Sequence, residues 1–291
     1  MSDLDPAEQL NEQGRKLSGE GDVAGAEAAY LAAIAAAPDW SAPHYNLALL
    51  YKYEGRWQES LAYNQRSAQL NPGDEASWWN LGIAATALGD WAEARRAWAK
   101  CDIECPPGDG APEFDWGSTP VRLEPDGQGE VVWARRLDPA RARIENVPLP
   151  TSPFRWGDVV LTDGAEEGQR IVEGRVYSVF NVLQRLAPSG FRTFVIEIAT
   201  SQQEALDALD ACASRLGGAA EGWGTSTRIL CAECSRGLPH EHDDDGAPAH
   251  PHWGLAARDH DHAEMIVNQW LADTRSADLT VWYEAPENSS G

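Results

Sequence analysis

Basic residues are scarce in this 291-residue chain, which has 23 Lys and Arg against 46 Asp and Glu and a formal net charge of −23. A nucleic-acid-binding surface needs clustered basic side chains, so we expect no nucleic-acid partner. The acidic excess fits a protein that meets a basic partner, but it also fits a member of a generally acidic proteome. Composition alone does not separate these two explanations.

The sequence also lacks an apolar segment long enough to span a membrane. Its first five residues, Met1 to Asp5, are acidic and contain no apolar signal core. We therefore expect a cytoplasmic protein with no membrane partner. Five cysteines in such a chain favour reduced thiols or metal ligands over a disulfide framework.

Signatures of known catalytic sites are missing as well. The chain has no glycine-rich phosphate loop and no H-E-x-x-H metalloprotease motif. No spacing of Ser and His residues identifies a nucleophile with its base. A non-enzymatic function is therefore the favoured hypothesis, although the sequence does not decide the question.

The chain does contain a repeat with a period of 34 residues. Three columns carry it: Pro38, Pro72 and Pro106; Gly21, Gly55 and Gly89; and Gly14, Ala48 and Gly82. Self-similarity at this period is typical of stacked helix–turn–helix units. Proline ends the second helix of each unit because it cannot continue the hydrogen-bond ladder.

The three copies, residues 7–40, 41–74 and 75–108, resemble the tetratricopeptide repeat (TPR). The third copy carries the resemblance best, through Trp78, Leu81, Gly82, Gly89, Asp90, Trp91, Ala94, Trp98 and Pro106. The resemblance implies an all-α solenoid over residues 1–108, in which the first helices line a concave groove that binds another protein or peptide. Three repeats are about the minimum that stands alone, so the third should need a cap or a neighbouring domain.

Carried over column by column, the resemblance places nine side chains in this groove: Asn11, Arg15, Tyr45, Leu49, Lys52, Tyr53, Trp79, Ile83 and Thr86. Some family members hold a C-terminal carboxylate with a clamp of Lys, Asn and Arg. In the clamp columns, Asn11, Ala76 and Asn80 stand where cations are expected, so a clamp for chaperone tails is not predicted. Asn46 and Asn80 also match the ordinary repeat consensus.

Beyond a breaker-rich linker, residues 109–117, we predict an α+β domain over residues 118–287, so that the whole chain is α+β. Short β-rich runs over 120–123, 130–135, 142–147 and 158–161 indicate a curled sheet or barrel, with a turn at Asp163-Gly164. The spacing over 177–186 predicts a helix. Strands over 191–198, 225–230 and 279–283 alternate with helices from the Ser201-x-x-Glu204 capping box to Leu216 and over 263–272.

A Cys/His-rich loop, residues 231–262, interrupts this domain and predicts a metal site. Thiolate and imidazole together favour tetrahedral Zn²⁺, and in an extended segment both histidines of an H-x-H pair point the same way. The predicted structural zinc ligands are Cys231, Cys234, His240 and His242, with His250, His252, His260 and His262 as further candidates.

These features predict an adaptor or scaffold protein, with a TPR partner-binding groove and a zinc-stabilised second domain. The partner would be a protein or peptide, and the net charge suggests a basic one. Two alternatives use the Cys/His cluster. The first is a hydrolase-like metal-dependent enzyme, whose ligands and carboxylate could be, for example, His260, His262 and Glu264. The second is a metal-handling protein.

Overall fold

The computed structural model describes residues 5–125, 129–172, 174–198, 203–223, 252–274 and 279–285. It divides into two compact units. The first contains Met1–Phe114 and Leu137–Ala140, and the second contains Asp115–Arg136 and Arg141–Gly291. The predicted limits of the domains and of the linker stay predictions.

Six helices build the first unit: α1 Pro6–Gly19, α2 Val23–Ala36, α3 Ser41–Tyr53, α4 Trp57–Leu70, α5 Glu75–Leu88 and α6 Trp91–Lys100. They pair as three hairpins, and each hairpin packs on the next through α2 with α3 and α4 with α5. The predicted series of three TPR-like helix–turn–helix units is therefore confirmed.

Aspartate side chains begin most of these helices. Asp5, Asp22, Asp74 and Asp90 each accept a hydrogen bond from a backbone N–H of the first turn, which satisfies a donor that has no partner inside the helix. The two helices of the middle repeat begin without a side-chain cap, at Trp40 and Arg56.

Two glycine columns of the repeat have different structural reasons. Gly21, Gly55 and Gly89 turn the chain inside each hairpin with φ of 79°, 66° and 70°, a left-handed conformation that favours glycine. Gly14 and Gly82 instead permit close packing, because a Cβ there would lie 2.5 Å from the ring of Tyr30 or Trp98. In the middle repeat, Ala48 stands in the column of Gly14 and Gly82. Asn64, whose side chain is smaller than an aromatic ring, stands in the column of Tyr30 and Trp98.

The second unit begins with five strands, β1 Ser118–Arg122, β2 Val131–Arg136, β3 Arg141–Ile144, β4 Val159–Val172 and β5 Arg175–Ala187. They form a closed barrel in the order β1-β2-β3-β4-β5, which agrees with the predicted curled sheet or barrel. Neighbours are antiparallel except at the closure, where β1 runs parallel to β5 and Val121 pairs with Phe180. The core contains Val121, Leu123, Val132, Ala134, Ala142, Ile144, Val160 and Val182.

Two predictions in this region are wrong. Residues 177–186 form part of β5 rather than a helix, and Asp163-Gly164 lies inside β4 rather than in a turn. The pairing of β4 with β5 shifts register between Thr162 and Glu166 and again before Gln169. Such bulges curve a barrel and break the period of two that identifies a strand in sequence.

A four-stranded antiparallel sheet completes the unit, in the order β7-β8-β6-β9. Its elements are β6 Arg192–Ile198, α7 Gln203–Arg215, β7 Ala219–Gly222, β8 His252–Ala257, α8 His260–Thr274 and β9 Leu279–Glu284. Both helices pack on one face against Phe194 and Ile196, as predicted. The predicted strand over 225–230 lies outside the described residues.

The other face of this sheet packs against the connection between β3 and β4, residues 145–158. Val147 and Leu149 of the connection contact a cluster that contains Val195, Trp223 and Ala256. The Trp223 indole donates a hydrogen bond of 2.9 Å to the Val147 carbonyl. Phe154 of the same connection packs against the barrel core, so the connection contacts both the barrel and the sheet.

In the described part of the chain, no helix combines the length and the apolar character that crossing a membrane requires.

Candidate partner-binding surface

The nine predicted groove residues lie on α1, α3 and α5, the first helices of the three repeats. Arg15 is exposed and Tyr53 is 57% exposed, whereas Tyr45, Leu49 and Trp79 are half-buried. The other four, Asn11, Lys52, Ile83 and Thr86, are buried. Five of the nine side chains could therefore touch a partner without rearrangement. Whether they do stays a prediction.

Polar side chains of this surface connect successive repeats. The Asn46 amide donates a 2.9 Å hydrogen bond to Asn11 Oδ1. Lys52 Nζ donates to Asn80 Oδ1 at 3.0 Å, and Asn80 Nδ2 donates to the Ala76 carbonyl at 3.0 Å and to the Tyr45 hydroxyl at 3.4 Å. Asn46 and Asn80, which share one column, thus hold neighbouring repeats together. The sequence carried a signal for this role, because the two asparagines stand 34 residues apart.

Lys52 illustrates how the surface differs from a simple cationic groove. Its side chain is only 3% exposed, and its ammonium group lies 4.6 Å from the centre of the Tyr53 ring. A cation at this distance from an aromatic face is attracted by the ring electrons. Lys52 therefore holds Asn80 and the Tyr53 ring, and it offers little charge to the solvent.

Trp79 is bound into the packing of the third repeat. Its ring meets Trp98 edge-on, with the centroids 5.3 Å apart, and Trp98 is the side chain that covers Gly82. Replacing Trp79 would therefore disturb the α5–α6 hairpin as well as the surface. Tyr53 is the better residue for testing the surface alone.

The principal predicted zinc ligands, Cys231, Cys234, His240 and His242, lie outside the described residues, as does His250. The backbone of His252 belongs to β8 and pairs with Glu197. The structure therefore leaves the zinc site as a prediction that rests on the sequence.

The last H-x-H pair is described, and its two side chains have different surroundings. His262 is buried; its Nδ1 accepts from the Arg258 N–H at 3.1 Å and its Nε2 donates to the Leu216 carbonyl at 3.0 Å. Both ring nitrogens are thus engaged, and a metal ion would have to displace one of these bonds. The pair lies at the start of α8, where residues two apart point about 200° apart, rather than in the extended segment that the sequence argument assumed.

His260 is exposed and lies over the Trp282 ring, with the centroids 4.6 Å apart. Its ring and the carboxylates of Asp261 and Glu264 place three possible ligand atoms within 4.8 Å of one another. His262, which was named with His260 and Glu264 as an example for the metalloenzyme alternative, is not part of this group. The arrangement offers three exposed ligands on one helical turn.

Burial disfavours the thiolate form of the two described cysteines near the end of the repeats. Burial raises the pKa of Cys101 to about 11, and burial also raises the pKa of Cys105. A thiol must lose its proton to act as a metal ligand or a nucleophile. Burial therefore makes both thiols weaker nucleophiles than an exposed cysteine.

No protein-family model matches the chain, and no curated protein matches it. Solved structures of TPR domains match its N-terminal third. The TPR2B domain of yeast Sti1 in its pHsp70 complex is 20% identical, with 33% of this chain and 76% of that chain covered and a TM-score of 0.31. The second TPR of Spaghetti (RPAP3), bound to the HSP90 peptide SRMEEVD, is 22% identical, with 33% and 88% covered and a TM-score of 0.32. The Sgt2 TPR domain from Aspergillus fumigatus is 21% identical, with 33% and 64% covered and a TM-score of 0.32.

Proposed function

We propose that the repeats bind a protein or peptide partner along α3 and that the chain acts as an adaptor. The observation that carries this proposal is a ridge on α3, formed by Tyr45, Leu49 and Tyr53. These residues stand four apart, so they share one face of the helix. Tyr53 is 57% exposed and the other two are half-buried, and exposed aromatic and aliphatic side chains in a row are typical of interaction surfaces.

The chemistry of the ridge favours a partner segment with apolar side chains. Arg15 on α1 is paired with Glu12 at 3.2 Å, so it adds little net charge to the surface. The net charge of −23 would attract a segment with basic flanking residues, because a protein's overall field steers oppositely charged partners. We therefore propose an apolar segment flanked by Lys or Arg.

A carboxylate-terminated peptide fits this surface less well. The solved TPR structures include complexes with Hsp70 and HSP90 peptides. In this chain, Asn11, Ala76 and Asn80 occupy clamp positions where cations would be needed, and Lys52 is buried on Asn80. The proposal therefore specifies the side chains of the partner segment and not its C-terminus.

Selection of random peptides on the full chain, followed by affinity measurements, tests this proposal. We expect enriched peptides to combine aromatic or aliphatic residues with Lys or Arg. Tyr53→Ala should weaken their binding roughly tenfold, since loss of an aromatic anchor costs about 1–2 kcal/mol. Leu31→Ala is the matched control, because Leu31 is 39% exposed on α2, the second helix of its repeat. Equal binding by wild type and Tyr53→Ala would exclude the ridge as the site.

The second part of the proposal is a structural zinc ion held by Cys231, Cys234, His240 and His242. It is supported by the joint occurrence of C-x-x-C and H-x-H on one segment. Elemental analysis of the purified chain should find zinc, and Cys231→Ala should lose it. A chain that purifies without metal, and folds equally well after chelation, would contradict this part and leave the adaptor proposal standing.

A further inference from the structure

A polar cavity of about 320 Å³ lies in the second unit, where the connection between β3 and β4 meets strands β6 and β9. Six of its lining residues are charged or carry a hydroxyl: Arg155, Asp158, Arg185, Arg192, Thr193 and Glu284. Three guanidinium groups thus face two carboxylates. The cavity has a positive balance in a protein with twice as many acidic as basic residues.

The arginines are held in place and still have donors to offer. Arg185 Nη1 donates to the Pro153 carbonyl at 2.8 Å and to Asp158 at 3.4 Å. Arg192 Nη1 donates to Glu284 at 3.0 Å. A guanidinium has five N–H donors. In the described part of the chain both side chains therefore keep the N–H groups on Nε and Nη2 for a further acceptor.

Asp158 is part of the wall of the cavity. It is 1% exposed, and its carboxylate accepts hydrogen bonds from the backbone N–H groups of Arg155 at 2.9 Å and Ser189 at 2.7 Å. Its negative charge is thus largely engaged by these donors and by Arg185. The lining of the cavity thus contains one more guanidinium group than carboxylates.

Thr193 provides an independent indication of a ligand. Its side chain is 2% exposed, and its hydroxyl has no hydrogen-bond partner among the residues that the structure describes. Thr193 is two residues from Val195 on β6, so both side chains lie on the face that meets the connection. Buried polar groups almost always have partners, and an acceptor in the cavity would supply the missing one.

We propose that this cavity binds the oxyanion group of a small molecule, either a phosphate or a carboxylate. Arg185 and Arg192 donate to the oxyanion through their remaining N–H groups, and the Thr193 hydroxyl donates to another of its oxygens. A volume of about 320 Å³ is at the lower end of small-molecule sites. The site is separate from the α3 ridge and does not depend on it.

Titration of the full chain with inorganic phosphate and, separately, with succinate tests this site, at constant ionic strength by calorimetry and NMR. We expect saturable binding of at least one anion, with shifts at Gly190 and Thr193, and the better anion identifies the group. Arg192→Gln should weaken binding roughly tenfold or more, because it removes hydrogen bonds to a charged group. Arg215→Gln is the matched control, since Arg215 pairs at 2.9 Å with exposed Asp273 between α7 and α8 and changes the net charge equally.

Thr193→Val separates a ligand contact from a structural defect. It should weaken anion binding by about tenfold and should leave the unfolding temperature of the ligand-free chain unchanged or higher, because it removes a buried hydroxyl that has no partner. Three results would overturn the proposal: no saturable binding of either anion, unchanged affinity in Thr193→Val, or equal losses in Arg192→Gln and Arg215→Gln.

Discussion

The two units of this protein differ in how far apart in the sequence their contacting segments lie. In the repeats, each helix packs on helices that are close in sequence, and several contacts recur 34 residues later. In the second unit, the barrel closes between Val121 and Phe180, and the sheet order β7-β8-β6-β9 joins strands that are not consecutive. A contact in the repeats can therefore be compared with its own equivalents, whereas a contact in the second unit occurs once.

One hydrogen bond shows what repetition permits. In the third repeat, the Trp78 indole donates to the Pro72 carbonyl at 3.0 Å. In the second repeat, the imidazole of His44 makes the equivalent bond to the Pro38 carbonyl, also at 3.0 Å. The two repeats thus make the same hydrogen bond at the same length, although the ring that donates it differs. The repeated feature is thus the contact and not the residue.

Gly82→Ala should lower the free energy of unfolding most, because it fills the space that the Trp98 ring occupies against α5. The added Cβ would lie 2.5 Å from the Trp98 ring, and overpacking of this kind costs about 3 kcal/mol. The gain in helix propensity of about 1 kcal/mol offsets only part of this. Chemical denaturation followed by circular dichroism at 222 nm should measure the loss.

Gly19→Ala is the matched control for that experiment. Gly19 ends α1, and nothing lies within 4 Å of the Cβ that it would gain. The same substitution should therefore be neutral or slightly stabilising there. If the two variants were equally stable, close packing would not be the reason for glycine at position 82.

Glu130→Ala should show an intermediate effect in the second unit, where no equivalent position exists. Glu130 is 4% exposed, and both its carboxylate oxygens lie 3.1 Å from the Leu149 N–H that they accept. Removing this acceptor buries a backbone donor without its partner, which costs about 1 kcal/mol. The matched variant is Glu130→Gln, which keeps one acceptor oxygen and should lose less. Equal losses would assign the effect to the negative charge of the carboxylate, because Gln keeps both the packing and one acceptor oxygen.

The sequence predicted the repeats well because their contacts are local and their spacing is regular. It predicted the barrel only in outline. In β5 the buried residues Val179 and Val182 stand three apart, as they would on a helix, because the bulged pairing with β4 interrupts strict alternation. Sequence periodicity cannot distinguish a curved strand from a helix when the curvature comes from pairing with a distant segment.

The columns of the repeat determine which candidate surface residues share a helix face, and whether they bind a partner stays a prediction. The TPR columns place Tyr45, Leu49 and Tyr53 on one helix face without reference to the rest of the chain. They do not determine exposure, and Ile83 and Thr86 are 0% and 2% exposed. The burial of Lys52 on Asn80 follows from side-chain pairing between repeats, which a single column cannot show. The cavity that Thr193 lines left no sequence signal, since its lining comes from three separate segments, residues 153–158, 185–193 and 284–285.

Exchanging the two donor rings, His44 and Trp78, should have the smallest effect on stability. The effect should appear in how the free energy of unfolding depends on pH. Burial lowers the pKa of His44, nearby Arg66 lowers it further, and the bond to Pro38 and the charge of Asp39 oppose the shift. The folded state thus binds fewer protons than the unfolded state, so stability should fall as the pH drops from about 6.5.

His44→Trp keeps a ring N–H for the Pro38 carbonyl and removes the titrating group. Its unfolding free energy should change less between pH 8 and pH 5 than that of the wild type, whatever the larger ring does to stability at pH 8. Trp78→His is the reciprocal variant and should add acid sensitivity to the third repeat. If pH-dependent denaturation gave the same slope for all three proteins, burial of the imidazole would not contribute to acid sensitivity, and the two repeats would not be equivalent at this bond.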